Sequence, residues 1–240
     1  MKLFVVGGSG LVGGLVLPFI ARRHTIKVYD LRPPADPAWD YVPGNVGDLD
    51  SLCEAVKGAD ALLYMAMGNK YSYVTTEGIT TNIDVNIKGV YLALEAAARA
   101  GVPHAVYTSS MSVYGGDLYQ RYFVDEELTP DSDELYGFTK HLGELACRQM
   151  TRVYPMSVNA LRLCFPKSAT DWQAAVAERN PTIATDAEDV ADAILGALEY
   201  RAGFQAFMIS GDYDEKIMNM SKARRLLNWA PRARPAGSTI

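Results

Sequence analysis

Tyr136 and Lys140 stand four residues apart in a stretch with helical spacing, and at that separation both side chains leave a helix on one face. A free tyrosine titrates near 10, too high for a base at neutral pH, and a neighbouring ammonium favours the phenolate. Lys140 is then the tuner and Tyr136 the proton acceptor. Alone the pair carries little weight, because aromatic and lysine residues four apart on helices mostly pack or snorkel. A second group adds to it: Tyr107-Thr108-Ser109-Ser110-Met111-Ser112-Val113-Tyr114-Gly115, a hydroxyl-rich stretch where a predicted strand ends. In open α/β sheets the carboxyl ends of strands border the ligand crevice. A hydroxyl there can hold a reacting oxygen and turn it toward Tyr136, although serine clusters after strands are also common turn formers.

The third constellation opens the chain. Lys2 to Val6 is a short apolar run, Gly7-Gly8-Ser9-Gly10-Leu11-Val12-Gly13 follows at once, and an apolar stretch to Ala21 leads to a β-rich run, Thr25 to Tyr29, closed by Asp30. Strand, glycine turn, helix, strand and acid in that order point to dinucleotide binding. Gly7, Gly10 and Gly13 suit a tight turn, a close backbone approach to a pyrophosphate and close packing of the new helix on the sheet. Leu11 and Val12, at the helix start, offer unpaired N–H groups at a positive dipole end. Asp30 can accept hydrogen bonds from an adenosine ribose and repels an added phosphate, so NAD is expected over NADP. Arg32 is the counter-indication, being within reach of a 2′-phosphate.

These groups need a scaffold, and the rest of the pattern supplies one. Leu31 to Gly44 is proline-rich and reads as a loop, Tyr41 to Val46 as a short third strand, and Ser51 to Lys57 as a helix. Asp60 to Met67 is the continuous apolar run of a buried parallel strand, bounded by Gly58 and by Gly68-Asn69. Apolar residues recur at helical spacing from Thr80 to Arg99, and Gly101-Val102-Pro103 stops that helix. A fifth strand spans His104 to Ser109, and Asp133 suits the N-cap of a helix to about Arg152. Ser157 to Leu163 is a sixth strand, Pro166 to Pro181 irregular or partly helical, Asp186 to Tyr200 an amphipathic helix, Gln205 to Ser210 a seventh strand, and Ser221 to Asn228 a last helix. Strands alternating with helices predict an α/β fold, a Rossmann-type doubly wound parallel sheet. The long segment from Ser110 to Asp133 is of a length usually reserved for function.

Of the 240 residues 49% are hydrophobic and 21% charged, a globular composition sufficient for one domain with its own core. A net charge of −5 argues against a nucleic-acid groove or an anionic membrane surface as partner. The apolar stretch Leu11 to Ala21 is too short to span a bilayer, and Met1-Lys2 runs directly into the first strand, so a cytoplasmic protein is expected. Cys53, Cys147 and Cys164, like His24, His104 and His141, lack metal-ligand spacing; free thiols and no metal site are expected.

Gly7-x-x-Gly10-x-x-Gly13, Ser109-Ser110-x-x-Val113-Tyr114-Gly115 and Tyr136-x-x-x-Lys140 together resemble the extended short-chain dehydrogenase/reductases, the NAD-dependent epimerase/dehydratase family. The resemblance runs from Met1 to about Leu163 and returns in Asp186 to Pro231. It implies Ser110 as catalytic hydroxyl, Tyr136 as base, Lys140 as its partner and a ribose contact, and Asn86 as support from the middle helix. Asp48 and Leu49 would sit on the adenine, while Ala66 and Met67 would pass their backbone along the cofactor. Tyr64 stands where the family often has histidine. Members that make 4,6-dehydrated sugars look to have an acid pair directly after the catalytic hydroxyl, where Met111 and Ser112 stand here, which disfavours water elimination. In Leu161-Arg162-Leu163-Cys164-Phe165-Pro166, Phe165 replaces an asparagine that nucleotide-sugar enzymes often present to substrate.

Only about twenty residues separate Pro166 from the Asp186 helix, which implies a reduced substrate region, formed by 164–185 and 211–240, and a small substrate. In that truncation the chain is similar to the uronate dehydrogenases. Lys70, Arg121 and Lys167 are candidate clamps for a carboxylate, each also readable as a solvated surface charge. The expectation is therefore a dehydrogenase or reductase moving hydride between NAD and a small, sugar-like hydroxyl or carbonyl compound. A sugar epimerase using the same residues is the alternative, and a non-catalytic dinucleotide-binding sensor or assembly protein is a third reading from another class. By the same resemblance, the helices Thr80 to Arg99 and Asp133 to Arg152 imply a homodimer.

Overall fold

The computed structural model describes residues 1–68 and 73–237, so Asn69 and Lys70 lie outside the described residues. In chain order the strands are β1 (Lys2–Val6), β2 (Thr25–Asp30), β3 (Asp40–Pro43), β4 (Ala61–Tyr64), β5 (His104–Ser110), β6 (Ser157–Leu163), β7 (Pro166–Lys167), β8 (Thr185–Asp186) and β9 (Phe204–Ile209). Seven of them form one sheet in the order β3-β2-β1-β4-β5-β6-β9, parallel throughout, while β7 and β8 pair separately. The order reverses between β1 and β4, and at such a switch point a crevice opens beyond the strand ends.

Helices cover both faces: α1 (Leu11–Ile20), α2 (Leu49–Ala55), α3 (Thr76–Ile83), α4 (Val90–Arg99), α5 (Leu135–Val153), α6 (Ala169–Glu178), α7 (Ala187–Glu199) and α8 (Ser221–Leu227). Alternation along β1 shows the layering. Leu3 and Val5 join a core with Leu17 of α1, Ile194 of α7 and Ala223 of α8, whereas Phe4 and Val6 join one with Leu52 of α2, Leu94 of α4 and Met150 of α5. β5 and β6 are buried along their whole length, as a central parallel strand requires.

Several boundaries differ from the sequence expectation for physical reasons. β3 ends at Pro43, because Gly44 turns the chain against the Tyr29 ring, where a Cβ would collide, and the Tyr29 hydroxyl donates to the Asn45 carbonyl at 3.0 Å. The single helix predicted over 80–99 begins earlier, at Thr76, with the Thr75 hydroxyl accepting from the Gly78 N–H at 3.1 Å. It is also interrupted by a π-helical turn, Asp84–Gly89. Asp133 is not the cap of α5: Glu134 occupies that position without a side-chain bond, and Gly137 packs so close to the Ser112 carbonyl that this contact fixes where the helix enters. The stretch expected to be irregular or partly helical is mostly α6, capped by Ser168 and anchored by buried Trp172, whose indole N–H donates to the Ala184 carbonyl at 2.8 Å.

The long segment after β5 starts as a 3-10 turn, Met111–Val113, and is fastened in its middle. Phe123 is fully buried, its N–H donates to the Ile217 carbonyl and its carbonyl accepts from the Asn219 N–H, both at 2.9 Å. The chain beyond β9 packs onto α7, where the Trp229 indole N–H reaches the Asp189 carbonyl at 2.8 Å. Cys147 and Cys164 are buried free thiols and Cys53 a half-buried one. Among the described residues no helix is long and apolar enough to cross a membrane, and no group of three or more His, Cys, Asp or Glu is placed to hold a metal ion.

Candidate active site

A cleft of about 1430 Å³ runs along the carboxyl ends of the central strands. Gly7, Gly10, Leu11, Val12, Asp30, Arg32, Asp48, Ala66 and Met67 line one part, and Ser110, Tyr136 and Lys140 line another. Three candidates stand behind the wall: Gly13, Leu49 and Asn86.

The glycine end is shaped by backbone. Gly7 has φ of +83°, and a Cβ there would strike the backbone nitrogen of Ala66. At Gly13 a Cβ would strike the Gly8 carbonyl, so this glycine sets how closely α1 approaches the turn. No side chain caps α1, and Leu11 and Val12 of its first turn border the cleft. Asp30 ties the turn to β2: one carboxylate oxygen accepts from the Ser9 N–H at 3.0 Å and the other from the Arg32 N–H at 3.2 Å. The Ser9 hydroxyl donates to the Arg32 carbonyl at 2.7 Å. Asp48 caps α2 by accepting from the Ser51 N–H at 3.0 Å, whereas Leu49 packs against the core. A cradle free of side chains, beside an uncapped helix start and a carboxylate at the tip of the second strand, fits a dinucleotide.

At the other end, Ser110 closes β5. Its hydroxyl oxygen accepts from the Ser112 N–H at 3.1 Å, and its side chain acts on the Tyr136 phenol across the cleft wall that both line. Burial pushes the Tyr136 pKa up to about 12; Ser110 pulls it down, and the neighbouring Tyr73 adds to the rise. The Lys140 ammonium donates to the Thr108 carbonyl at 2.8 Å and lies 5.9 Å from the centre of the Tyr136 ring and 5.0 Å from that of Tyr107. Burial brings its pKa down to about 8, with Cys147 and Glu144 acting in the opposite sense. The ammonium thus faces a backbone carbonyl as well as the Tyr136 ring, and Ser110 lowers the phenol against the effect of burial.

Asn86 sits in the π-helical turn, fully buried. Its carbonyl oxygen accepts from the Gly68 N–H at 3.0 Å, while its amide donates to Thr139 Oγ1 at 3.0 Å and to Asn82 Oδ1 at 3.1 Å. Thr139 Oγ1 in turn donates to the Tyr136 carbonyl at 2.9 Å. Asn86 thus links the exit of β4 to the first turn of α5.

Sequence reasoning missed a buried ion pair, Arg162–Glu144, at 2.8 Å. An arginine inside an otherwise apolar strand and a glutamate one further helical step from Lys140 were its signals. The strained Phe165 was also missed as strain: it has φ of +40°, borders the cleft and is 56% exposed. Of the candidate clamps, Lys167 borders the cleft and is half-buried, and Arg121 is turned away to Asp131 at 3.1 Å.

The NAD dependent epimerase/dehydratase family model matches residues 3–182. A 3 beta-hydroxysteroid dehydrogenase/Delta 5-->4-isomerase of Mycobacterium tuberculosis is 35% identical over 155 residues, 60% of this chain and 41% of that protein. A uronate dehydrogenase of Pseudomonas syringae pv. tomato is 29% identical over 149 residues, 60% of this chain and 51% of its own. The matched stretches thus span about half or less of these relatives. Among solved structures, MoeE5 in complex with UDP-glucuronic acid and NAD superposes with a TM-score of 0.79 at 19% identity, covering 98% of this chain and 95% of that one. Uronate dehydrogenase from Agrobacterium tumefaciens superposes with a TM-score of 0.78 at 20% identity, covering 97% and 84%.

Proposed function

The chain belongs to the NAD-dependent epimerase/dehydratase family, and from that premise we propose that it is an NAD-dependent dehydrogenase or reductase of a small, sugar-like hydroxyl or carbonyl compound. The observation that carries this reading is the meeting of Ser110, at the carboxyl end of β5, with Tyr136 and, one helical turn on, Lys140 in the wall of the same cleft as the glycine turn. A binding protein has no use for a phenol held this way.

Gly7, Gly10 and the start of α1 would hold the pyrophosphate, Asp30 the adenosine ribose and Asp48 the adenine side. When bound, NAD supplies the hydride acceptor and a positive ring charge, which favours the phenolate. In oxidation Tyr136 takes the hydroxyl proton and Ser110 holds the substrate oxygen. Lys140 is placed to stabilise the phenolate electrostatically and to contact the ribose, with Asn86 holding the helix that carries both. The sugar-like substrate is supported by the uronate dehydrogenase likeness and by the short stretch between β6 and α7. Residues 1–240 are read as one domain in which 164–185 and 211–240 furnish the substrate side. A homodimer is part of the same reading, supported by exposed Tyr91 on α4 and Leu145 and Val153 on α5, and so is a cytoplasmic location.

The test is to denature purified protein, chromatograph any released nucleotide, titrate with NADH and NADPH, and screen sugar acids, free sugars and hydroxy-ketones. Little released nucleotide, NADH binding tighter than NADPH, and turnover abolished in Tyr136→Phe with NADH affinity kept within about twofold are expected. Near-stoichiometric NAD would favour the epimerase instead, and wild-type turnover by Tyr136→Phe would sink the site assignment.

A further inference from the structure

Beneath the cleft lies a fully connected set of buried polar groups that hydride transfer does not itself require. Glu144 Oε1 accepts from the Ser109 hydroxyl at 2.6 Å and from Arg162 Nε at 2.9 Å, and Oε2 accepts from Arg162 Nη2 at 2.8 Å. The remaining fork of Arg162, Nη1, donates to the Tyr114 hydroxyl at 2.5 Å and to the Glu126 carbonyl at 2.9 Å. The Tyr114 hydroxyl in turn donates to the Leu128 carbonyl at 3.2 Å, and the Glu126 carboxylate accepts from the Met208 N–H at 3.1 Å. One ion pair therefore joins β5, α5, β6 and the segment that follows the 3-10 turn.

Its place relative to the reacting groups is specific. Tyr136, Lys140 and Glu144 follow one another at intervals of four on α5, along one helix face. Ser109 precedes Ser110 in a strand, so the two hydroxyls point to opposite sides. One is fastened to Glu144; the other meets the phenol. Stability alone does not call for charges here, because a buried ion pair is often replaced by apolar side chains at no loss, whereas removing one partner leaves an uncompensated charge.

We propose that Glu144, held by Arg162, is a positioning residue for the Tyr136–Lys140 end of the site, acting through Ser109 on the strand that carries Ser110 and through its charge on the groups above it. This inference rests on the Ser110–Tyr136–Lys140 reading. Among the described residues the charged and titratable neighbours of Glu144 are Arg162, Tyr107, Tyr114, His141, Cys147 and Lys140, with the Glu126 carboxylate acting on Arg162 and Tyr114 as well; those of Tyr136 are Tyr107, Tyr73 and Lys140. Glu144 raises the pKa of both Lys140 and Tyr107.

The experiment is a pH titration of tyrosinate absorbance on protein saturated with NAD, taking wild type minus Tyr136→Phe to isolate Tyr136. The same subtraction is then made in Glu144→Gln, Arg162→Met and Arg162→Lys backgrounds. Removing the Glu144 charge while Arg162 remains should lower the Tyr136 midpoint by about one pH unit. Arg162→Met, which leaves the carboxylate unneutralised, should raise it, and Arg162→Lys should restore it to near the wild-type value. A purely packing role moves melting temperatures and leaves the midpoints alone, so unchanged midpoints in the variants overturn the proposal. Should Glu144→Gln fail to fold, the opposed results of Arg162→Met and Arg162→Lys decide. A Tyr136 midpoint that ignores Lys140→Met as well would overturn the site reading itself; indifference to Glu144 and Arg162 alone would overturn only this inference.

Discussion

The two ends of the cleft are made of different material. At the glycine end the space is shaped by backbone: Gly7 at positive φ against the Ala66 backbone, Gly13 against Gly8, and Asp30 tying the turn to the next strand. At the tyrosine end, side chains from segments far apart in sequence meet. Ser109 reaches across 35 positions to Glu144, Arg162 across 48 to Tyr114, and Asn86 across 53 to Thr139. A shape made of backbone tolerates no added atom. A shape made of paired charges tolerates an atom but not a missing partner.

The largest expected effect tests the first half of that contrast. Gly7→Ala places a Cβ into the Ala66 backbone at a φ that alanine rarely adopts, and should cost more than about 5 kcal/mol or yield no folded protein. Denaturant unfolding measures this, and a stable variant that still binds NADH would show that the turn is not set by that contact.

This difference in material also explains what was legible. Glycine spacing, strand alternation and the acid after β2 are local signals, so the doubly wound fold and the residues Gly7, Gly10, Leu11, Val12, Asp30 and Arg32 could be placed on the cleft from sequence. Leu49 could not, since whether the first residue of α2 faces adenine or core depends on how that helix packs. The extent of α6 was hidden because its hold comes from one tryptophan reaching Ala184, beyond the helix itself. The backbone partner of Lys140 was hidden for a similar reason: helical spacing brings Tyr136 near, but only the folded sheet shows that the ammonium also donates to the Thr108 carbonyl.

The second half of the contrast is tested by unpairing. Arg162→Met leaves Glu144 buried without its cation and should lower stability by about 3–5 kcal/mol, read as a fall in denaturant midpoint with an unchanged slope. A loss under about 1 kcal/mol would mean that water reaches the carboxylate.

The smallest effect concerns the rim, which belongs to neither material. Phe165 holds φ of +40° with its ring largely exposed, so Phe165→Gly should remove local strain and raise stability by about 0.5–1 kcal/mol. The same variant should weaken turnover if the ring meets substrate. A stability decrease would show instead that the ring is seated against the protein.

The π-helical turn at Asp84–Gly89 has a consequence for how this chain can change length. Such a turn carries one residue more than an α-helical turn would, and Asn86 uses that surplus to face Gly68 on one side and Thr139 on the other. Deleting that surplus residue would leave an unbroken α-helix from Thr76 to Arg99 with α3 and α4 presenting nearly the same faces, because the wide turn had absorbed it. Asn86 would lose its reach to Gly68 and to Thr139. A residue added or removed in α3 or α4 would instead rotate one against the other by about 100°. The turn is therefore where this helix can shorten without changing face, and the link through Asn86 is what such a shortening gives up.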